Sequence, residues 1–122
     1  MSHLTGFYRV ATSNHYLAFD DQSEVYVKQT KPSTRMRPNK EFWLSIDDGQ
    51  LGKYGNPKQL KATIQGKQYR LWVEPRGPSK YGIIPTNNAG DYSNQFLSID
   101  SKGILSISDD WLADEEFMVE TD

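Results

Sequence analysis

Apolar and polar residues alternate in short runs along the whole chain, and no stretch long enough to judge keeps the three-to-four spacing of an amphipathic helix. The alternation predicts strands over residues 7–11, 16–19, 25–29, 42–46, 50–54, 60–64, 69–74, 81–84, 95–99, 104–108 and 116–120. Gly, Pro, Asn, Asp and Ser fill the gaps, because their backbone freedom or short polar side chains suit tight turns. One stretch differs. Asp109-Asp110-Trp111-Leu112-Ala113-Asp114 predicts a single helical turn, capped by one of its leading aspartates.

The pattern repeats. Tyr16-Leu17-Ala18-Phe19-Asp20 followed by Val25-Tyr26-Val27 matches Phe96-Leu97-Ser98-Ile99-Asp100 followed by Ile104-Leu105-Ser106-Ile107. Each pair leads to an acid-aromatic-apolar phrase, Glu41-Phe42-Trp43-Leu44 and Glu116-Phe117-Met118-Val119. With Leu71-Trp72-Val73 as a third closing phrase, the chain divides into three blocks, the middle one shortened. Short strands, regular turn signals and almost no helix imply an all-β sandwich or closed barrel, and a threefold repeat favours the barrel.

Gly6-Phe7-Tyr8-Arg9-Val10, Tyr16-Leu17 after a short turn, and Phe42-Trp43 closing the block resemble the β-trefoil superfamily. The resemblance implies one domain over residues 1–122, pseudo-threefold, with about twelve short strands and a shortened second repeat. Within the superfamily the chain looks most like the cysteine-free fungal β-trefoil protease inhibitors, the group of the mycocypins and fungal serine-protease inhibitors. Phe42-Trp43-Leu44-Ser45-Ile46-Asp47-Asp48-Gly49 and Leu71-Trp72-Val73 resemble their closing strands. The group implies a soluble, non-catalytic inhibitor acting through inter-strand loops, without cofactor or metal.

Composition adds constraints. At 122 residues with 36% apolar content, the chain supports one modest core that leans on its Tyr, Phe and Trp rings. No run approaches the length that spans a bilayer, and no basic-then-apolar leader precedes the first strand, so a cytoplasmic protein without a membrane partner is expected. Cysteine is absent, which removes disulfides, thiolate metal sites and a cysteine nucleophile. Net charge is only −2, but twelve Lys/Arg against four Asp/Glu fall in residues 28–80, and nine acids against Lys102 fall in 81–122. Such asymmetry marks either an anion-binding face or a merely dipolar surface, and no nucleic-acid motif accompanies it.

Candidate chemistry is sparse. His3 and His15 stand in no local signature with a serine and a carboxylate, so an enzyme is not expected. Asp20-Asp21, Asp47-Asp48 and Asp109-Asp110 fall between strands, where aspartate bonds its own turn backbone. The unusual segment is residues 30–40, which is longer than a hairpin needs and carries Lys31, Arg35, Arg37 and Lys40 without an acid. Two prolines stiffen it, and an exposed Arg on a stiff loop suits the acidic specificity pocket of a trypsin-like protease. Arg35-Met36 is the expected inhibitory bond, with Arg37 next, since Pro38 protects the bond after Arg37.

A second candidate is a glycan site on the polar loop holding Asn87, Asn88, Asp91, Tyr92 and Asn94, where amides bond hydroxyls and a tyrosine ring stacks on a pyranose. The Gln-x-Trp phrase of ricin-B-type lectins is missing, since Glu41, Arg70 and Asp109 stand two positions before Trp43, Trp72 and Trp111. The turn Thr12-Ser13-Asn14-His15 is too short to resemble the loop with which mycocypins approach papain-like enzymes. Function is expected where the repeats differ: the basic segment 30–40 and the acidic segment 109–116 with Trp111.

Overall fold

The alternation becomes eleven strands among the residues that the computed structural model describes, which are 4–39, 41–47, 58–86 and 93–121. They are β1 (Phe7–Val10), β2 (Tyr16–Phe19), β3 (Val25–Lys28), β4 (Met36–Pro38), β5 (Leu44–Ile46), β6 (Lys61–Ile64), β7 (Lys67–Gly77), β8 (Lys80–Thr86), β9 (Phe96–Ile99), β10 (Leu105–Ser108) and β11 (Phe117–Glu120). Ten coincide with expected strands, and the expected strand at 50–54 lies outside the described residues. β4 was not expected: it falls in the segment read as loop. The short helical turn is present as a 3-10 turn over Ala113–Glu115, later than expected. No leading aspartate caps it; Glu115 reaches back so that the Leu112 N–H donates to its Oε1 at 2.7 Å.

Seven strands form one antiparallel sheet in the order β3-β2-β1-β11-β8-β7-β6. Its outer edges turn toward each other. A parallel bridge joins Glu24, beside β3, to Lys61 of β6, with the Lys61 N–H donating to the Ser23 carbonyl at 3.0 Å and the Thr63 N–H to the Glu24 carboxylate. The sheet is therefore a nearly closed barrel, which leaves little unpaired edge. The hairpin β4–β5 packs across one end through the bridges Gly6↔Met36, Trp43↔Trp72 and Ser45↔Gln59. The hairpin β9–β10 forms its own two-stranded sheet.

Inward positions alternate as the pleat requires: Tyr8 and Val10, Leu17, Val25, Ala62 and Ile64, Leu71 and Val73, Ile83, Leu97 and Ile99, and Phe117 form one apolar cluster. Tyr8 is fully buried and donates its hydroxyl to the Leu4 carbonyl at 2.7 Å, which satisfies the one polar atom of the largest core ring. Burial, and Tyr81 beside it, push its phenol far above the ordinary tyrosine range.

The repeated phrase has an atomic counterpart. Asp20 Oδ1 accepts the N–H groups of Gln22 and Glu24 at 2.9 and 3.0 Å; Asp100 Oδ1 accepts those of Lys102 and Ile104 at 2.9 and 3.0 Å. In each turn the fourth residue, Ser23 or Gly103, takes a left-handed φ (65° and 82°). Asn39 builds the same turn between β4 and β5: its Oδ1 accepts the N–H groups of Glu41 and Trp43, and Phe42 is the left-handed residue at 67°. The middle hairpin, β6–β7, is tighter and turns on Gln65 and Gly66 alone.

Only Gly103 meets the left-handed requirement without a side-chain penalty. Ser23 also buries a hydroxyl with no partner among the described residues. Ser23→Gly is therefore expected to stabilise by about 1 kcal/mol and raise Tm by a few degrees. The reverse change, Gly103→Ser, should lower Tm, because an added Cβ would sit 3.1 Å from His15 Nε2. Thermal denaturation of both variants checks the pair, and a destabilised Ser23→Gly would refute the reading.

Candidate functional site

The basic segment leaves β3 at Lys28 and returns as β4 at Met36. Thr30, Lys31 and Ser33 are exposed, while Pro32, Ser33 and Thr34 lie over the β2–β3 hairpin, where a shallow depression of about 80 Å³ separates them from Ala18, Phe19 and Tyr26. Two cations brace the segment on one ring. Lys31 Nζ sits 5.1 Å and the Arg35 guanidinium 5.3 Å from the centroid of Phe7 on β1.

Glu120, at the end of β11, completes the support. Its carboxylate pairs with Lys31 Nζ at 2.7 Å and Arg9 Nε at 3.2 Å, and accepts the Tyr16 hydroxyl at 2.8 Å. One side chain thus ties the basic segment to β1, β2 and β11. The bonds from Lys31 and Tyr16, more than the charges around them, hold the Glu120 carboxyl below its ordinary range. Tyr16 shifts the other way: partial burial first, then its bond to Glu120, raise its phenol.

The expected inhibitory residues separate in the structure. Met36 is a core residue, 1% exposed, and its N–H and C=O are both engaged with Gly6 at 2.8 and 2.9 Å. The Arg35-Met36 peptide bond is therefore part of a β-bridge rather than an exposed loop apex. The correction follows from the pattern itself: Met36 and Pro38 flank an outward Arg37, which is strand alternation hidden among prolines and charges. Arg37 pairs with Asp47 at 3.7 Å across the β4–β5 hairpin. Lys40 lies outside the described residues, as do Asn87, Asn88, Asp91 and Tyr92 of the glycan candidate. Asn94 is exposed beside Ser93, whose hydroxyl donates to the Pro85 carbonyl at 2.7 Å.

One feature had no sequence signal. All three tryptophans gather on the outer face of the long β7–β8 hairpin, and two arginines stack on them. Arg70 lies 4.8 Å from the Trp43 ring, and Trp43 meets Trp72 edge to face at 5.3 Å. Further along, the Arg76 guanidinium lies 5.0 Å from both Phe96 and Trp111. Trp111 packs on Gly82, where an added Cβ would lie 3.2 Å from the indole nitrogen, so a side chain there would push the ring away. The alternation of β7 places Arg70, Trp72 and Glu74 outward, but nothing in it says that Trp43 and Trp111 meet that face.

The remaining candidates are structural in their contacts. His15 is buried, with Nδ1 2.6 Å from the Ser13 hydroxyl two residues away and its other nitrogen toward Gly103; His3 lies outside the described residues. Among the described residues no group of three His, Asp or Glu side chains could hold a metal ion. No described helix is long and apolar enough to cross a membrane. Asp20 serves its turn, Asp47 pairs with Arg37, and Asp109 accepts the Gln95 amide at 2.9 Å. Glu115 is buried, accepting the Ser98 hydroxyl, and so links β9 to the 3-10 turn.

Among the described residues three carboxylates have lowered pKa values: Glu120, and the turn residues Asp20 and Asp100, whose cause is backbone N–H donation, led by Glu24 and Ile104 respectively. The unfolded chain binds more protons than the folded one just below the ordinary carboxylate range. Their stabilisation is thus complete above about pH 5 and lost as pH falls through the depressed values. Denaturant titrations at descending pH should show stability falling from about pH 5 downward, with a flatter profile in Asp20→Asn/Asp100→Asn. A profile unchanged by both substitutions would contradict the assignment.

Comparison with protein-family models, with curated proteins and with solved structures gives no match.

Proposed function

We propose that this chain is a non-catalytic binding module built as a β-trefoil, which presents its braced basic segment to the acidic specificity pocket of a trypsin-like serine protease. The trefoil reading is supported by two hairpins, β2–β3 and β9–β10, that carry the repeated phrase and share one turn down to its hydrogen-bond lengths.

The observation that carries the functional reading is the support of Lys31 and Arg35. Both cations stand over Phe7, and Lys31 is additionally tied to Glu120, so the segment is ordered before any partner arrives. Preordering removes an entropic cost that a flexible loop would meet on binding. The Lys31–Glu120 pair is solvent-exposed and worth at most about 1 kcal/mol, so an acidic pocket competes for Lys31 without a large penalty. Because Met36 is core, contact is made through the side chains of Lys31 and Arg35, and no peptide bond is offered to the nucleophile. Resistance to cleavage follows from the same arrangement.

Progress curves of trypsin with stoichiometric protein should show inhibition without turnover of the Arg35-Met36 bond by mass spectrometry. Lys31→Ala and Arg35→Ala should each weaken it at least about tenfold, the worth of one charge-assisted contact. Arg37→Ala, whose partner is Asp47, should not. Inhibition untouched in the first two variants, or absent from the parent protein, would sink the proposal.

A further inference from the structure

The register of the β6–β7 hairpin sets Lys61 directly opposite Arg70. Like charges at facing positions of an antiparallel pair repel and cost stability that an acid in either place would recover. Folding alone gives no reason for this pairing. Both residues line one groove of about 210 Å³ on the outside of the hairpin, with Gln59, Gln68, Leu60 and Tyr69 completing it. The lining holds two cations, two side-chain amides and a phenol, and no acid.

Among the described residues neither Lys61 nor Arg70 forms an ion pair. Asp20 attracts Lys61 from outside ion-pair distance, while its Oδ1 accepts the N–H groups of Gln22 and Glu24. Glu24 Oε2 accepts the Thr63 N–H, and no ion pair joins Glu24 to Lys61 among the described residues. Arg70 is also fixed in place: its guanidinium stacks on Trp43, itself held edge-on by Trp72. Stacking uses the face of the guanidinium and leaves its N–H edge for an acceptor, and that planar edge suits an oxyanion.

We propose that this groove binds an oxyanion, sulfate, phosphate or carboxylate, held between Lys61 and Arg70, with the Gln59 and Gln68 amides bonding the atoms that carry or surround it. The anion arrives either as a free ion or as an ester on a saccharide. The groove, about 210 Å³, is several times larger than the roughly 30 Å³ that a water takes in the liquid, so it has room for the anion, with any attached saccharide extending beyond it.

Titration calorimetry at low ionic strength, with inorganic sulfate, inorganic phosphate, a sulfated disaccharide and its unsulfated counterpart, tests this on the intact chain. Binding of the sulfated disaccharide tighter than inorganic sulfate identifies an esterified saccharide as the ligand; equal affinities identify the free ion. Lys61→Gln and Arg70→Gln should each weaken binding about tenfold or more, and Arg70→Lys should fall between, since it keeps charge but loses the stacked plane. Lys102→Gln, on the β9–β10 turn and outside the groove lining, should bind normally. A second readout separates a site from a structural pair. Without ligand, Lys61→Gln should melt higher than the parent, because it removes the repulsion, yet show no rise in Tm when sulfate is added. No binding of any charged probe, equal binding of the unsulfated disaccharide, affinity unchanged in Lys61→Gln, or a lower melting point for that variant would each overturn the proposal.

Discussion

A side-chain oxygen that accepts two backbone N–H groups, two and four residues on, is the contact from which this barrel is organised. It closes a five-residue turn at Asp20, at Asn39 and at Asp100, and each time it forces the fourth residue into the left-handed region. Fixing the turn fixes the register of the hairpin it joins, and a one-residue slip would carry every core side chain to the solvent face. The alternation of Leu17, Leu97 and their neighbours therefore works only because the turn after it is specified. Where the acceptor is an aspartate, stability also becomes sensitive to acid; where it is Asn39, the same geometry is held without charge.

This constraint explains what the chain tolerates. Phe42 is bulky, left-handed and 38% exposed, an expensive choice at a position that Gly103 fills without strain. Its carbonyl accepts the Val73 N–H, so the turn also docks β5 against β7 and brings Trp43 onto Trp72. The outer aromatic face thus descends from the turn. It forms a second, thinner layer outside the barrel, in which arginines rather than aliphatic side chains cover the indoles.

The sequence was informative where a physical rule acts locally. Strand alternation and turn chemistry are properties of neighbouring residues, so ten strands and the paired turns at Asp20 and Asp100 could be read from it. Met36 escaped because prolines and arginines around it mimic a loop, although its own pairing is with Gly6, thirty residues earlier. The Phe7–Lys31–Glu120 support is a product of register between distant segments, and the Lys61–Arg70 groove of the register of one tight hairpin. Charge asymmetry hinted at a basic face without saying that two cations would face each other across one hairpin. Only strand pairing makes them neighbours.

The pairing of β1 with β11 has a kinetic meaning. Arg9 and Glu120 are 111 residues apart, so their strands can meet only after nearly all of the described chain is available. Contacts of such separation demand a large loop closure and are associated with slow folding. Until β11 arrives, β1 offers an unpaired apolar edge, and Lys31 lacks the carboxylate that fixes it. The basic segment is then among the last parts of the molecule to become ordered, and a chain whose β11 has not docked carries the same residues without the presented surface. Completion of the barrel is thus a condition for the order of the basic segment.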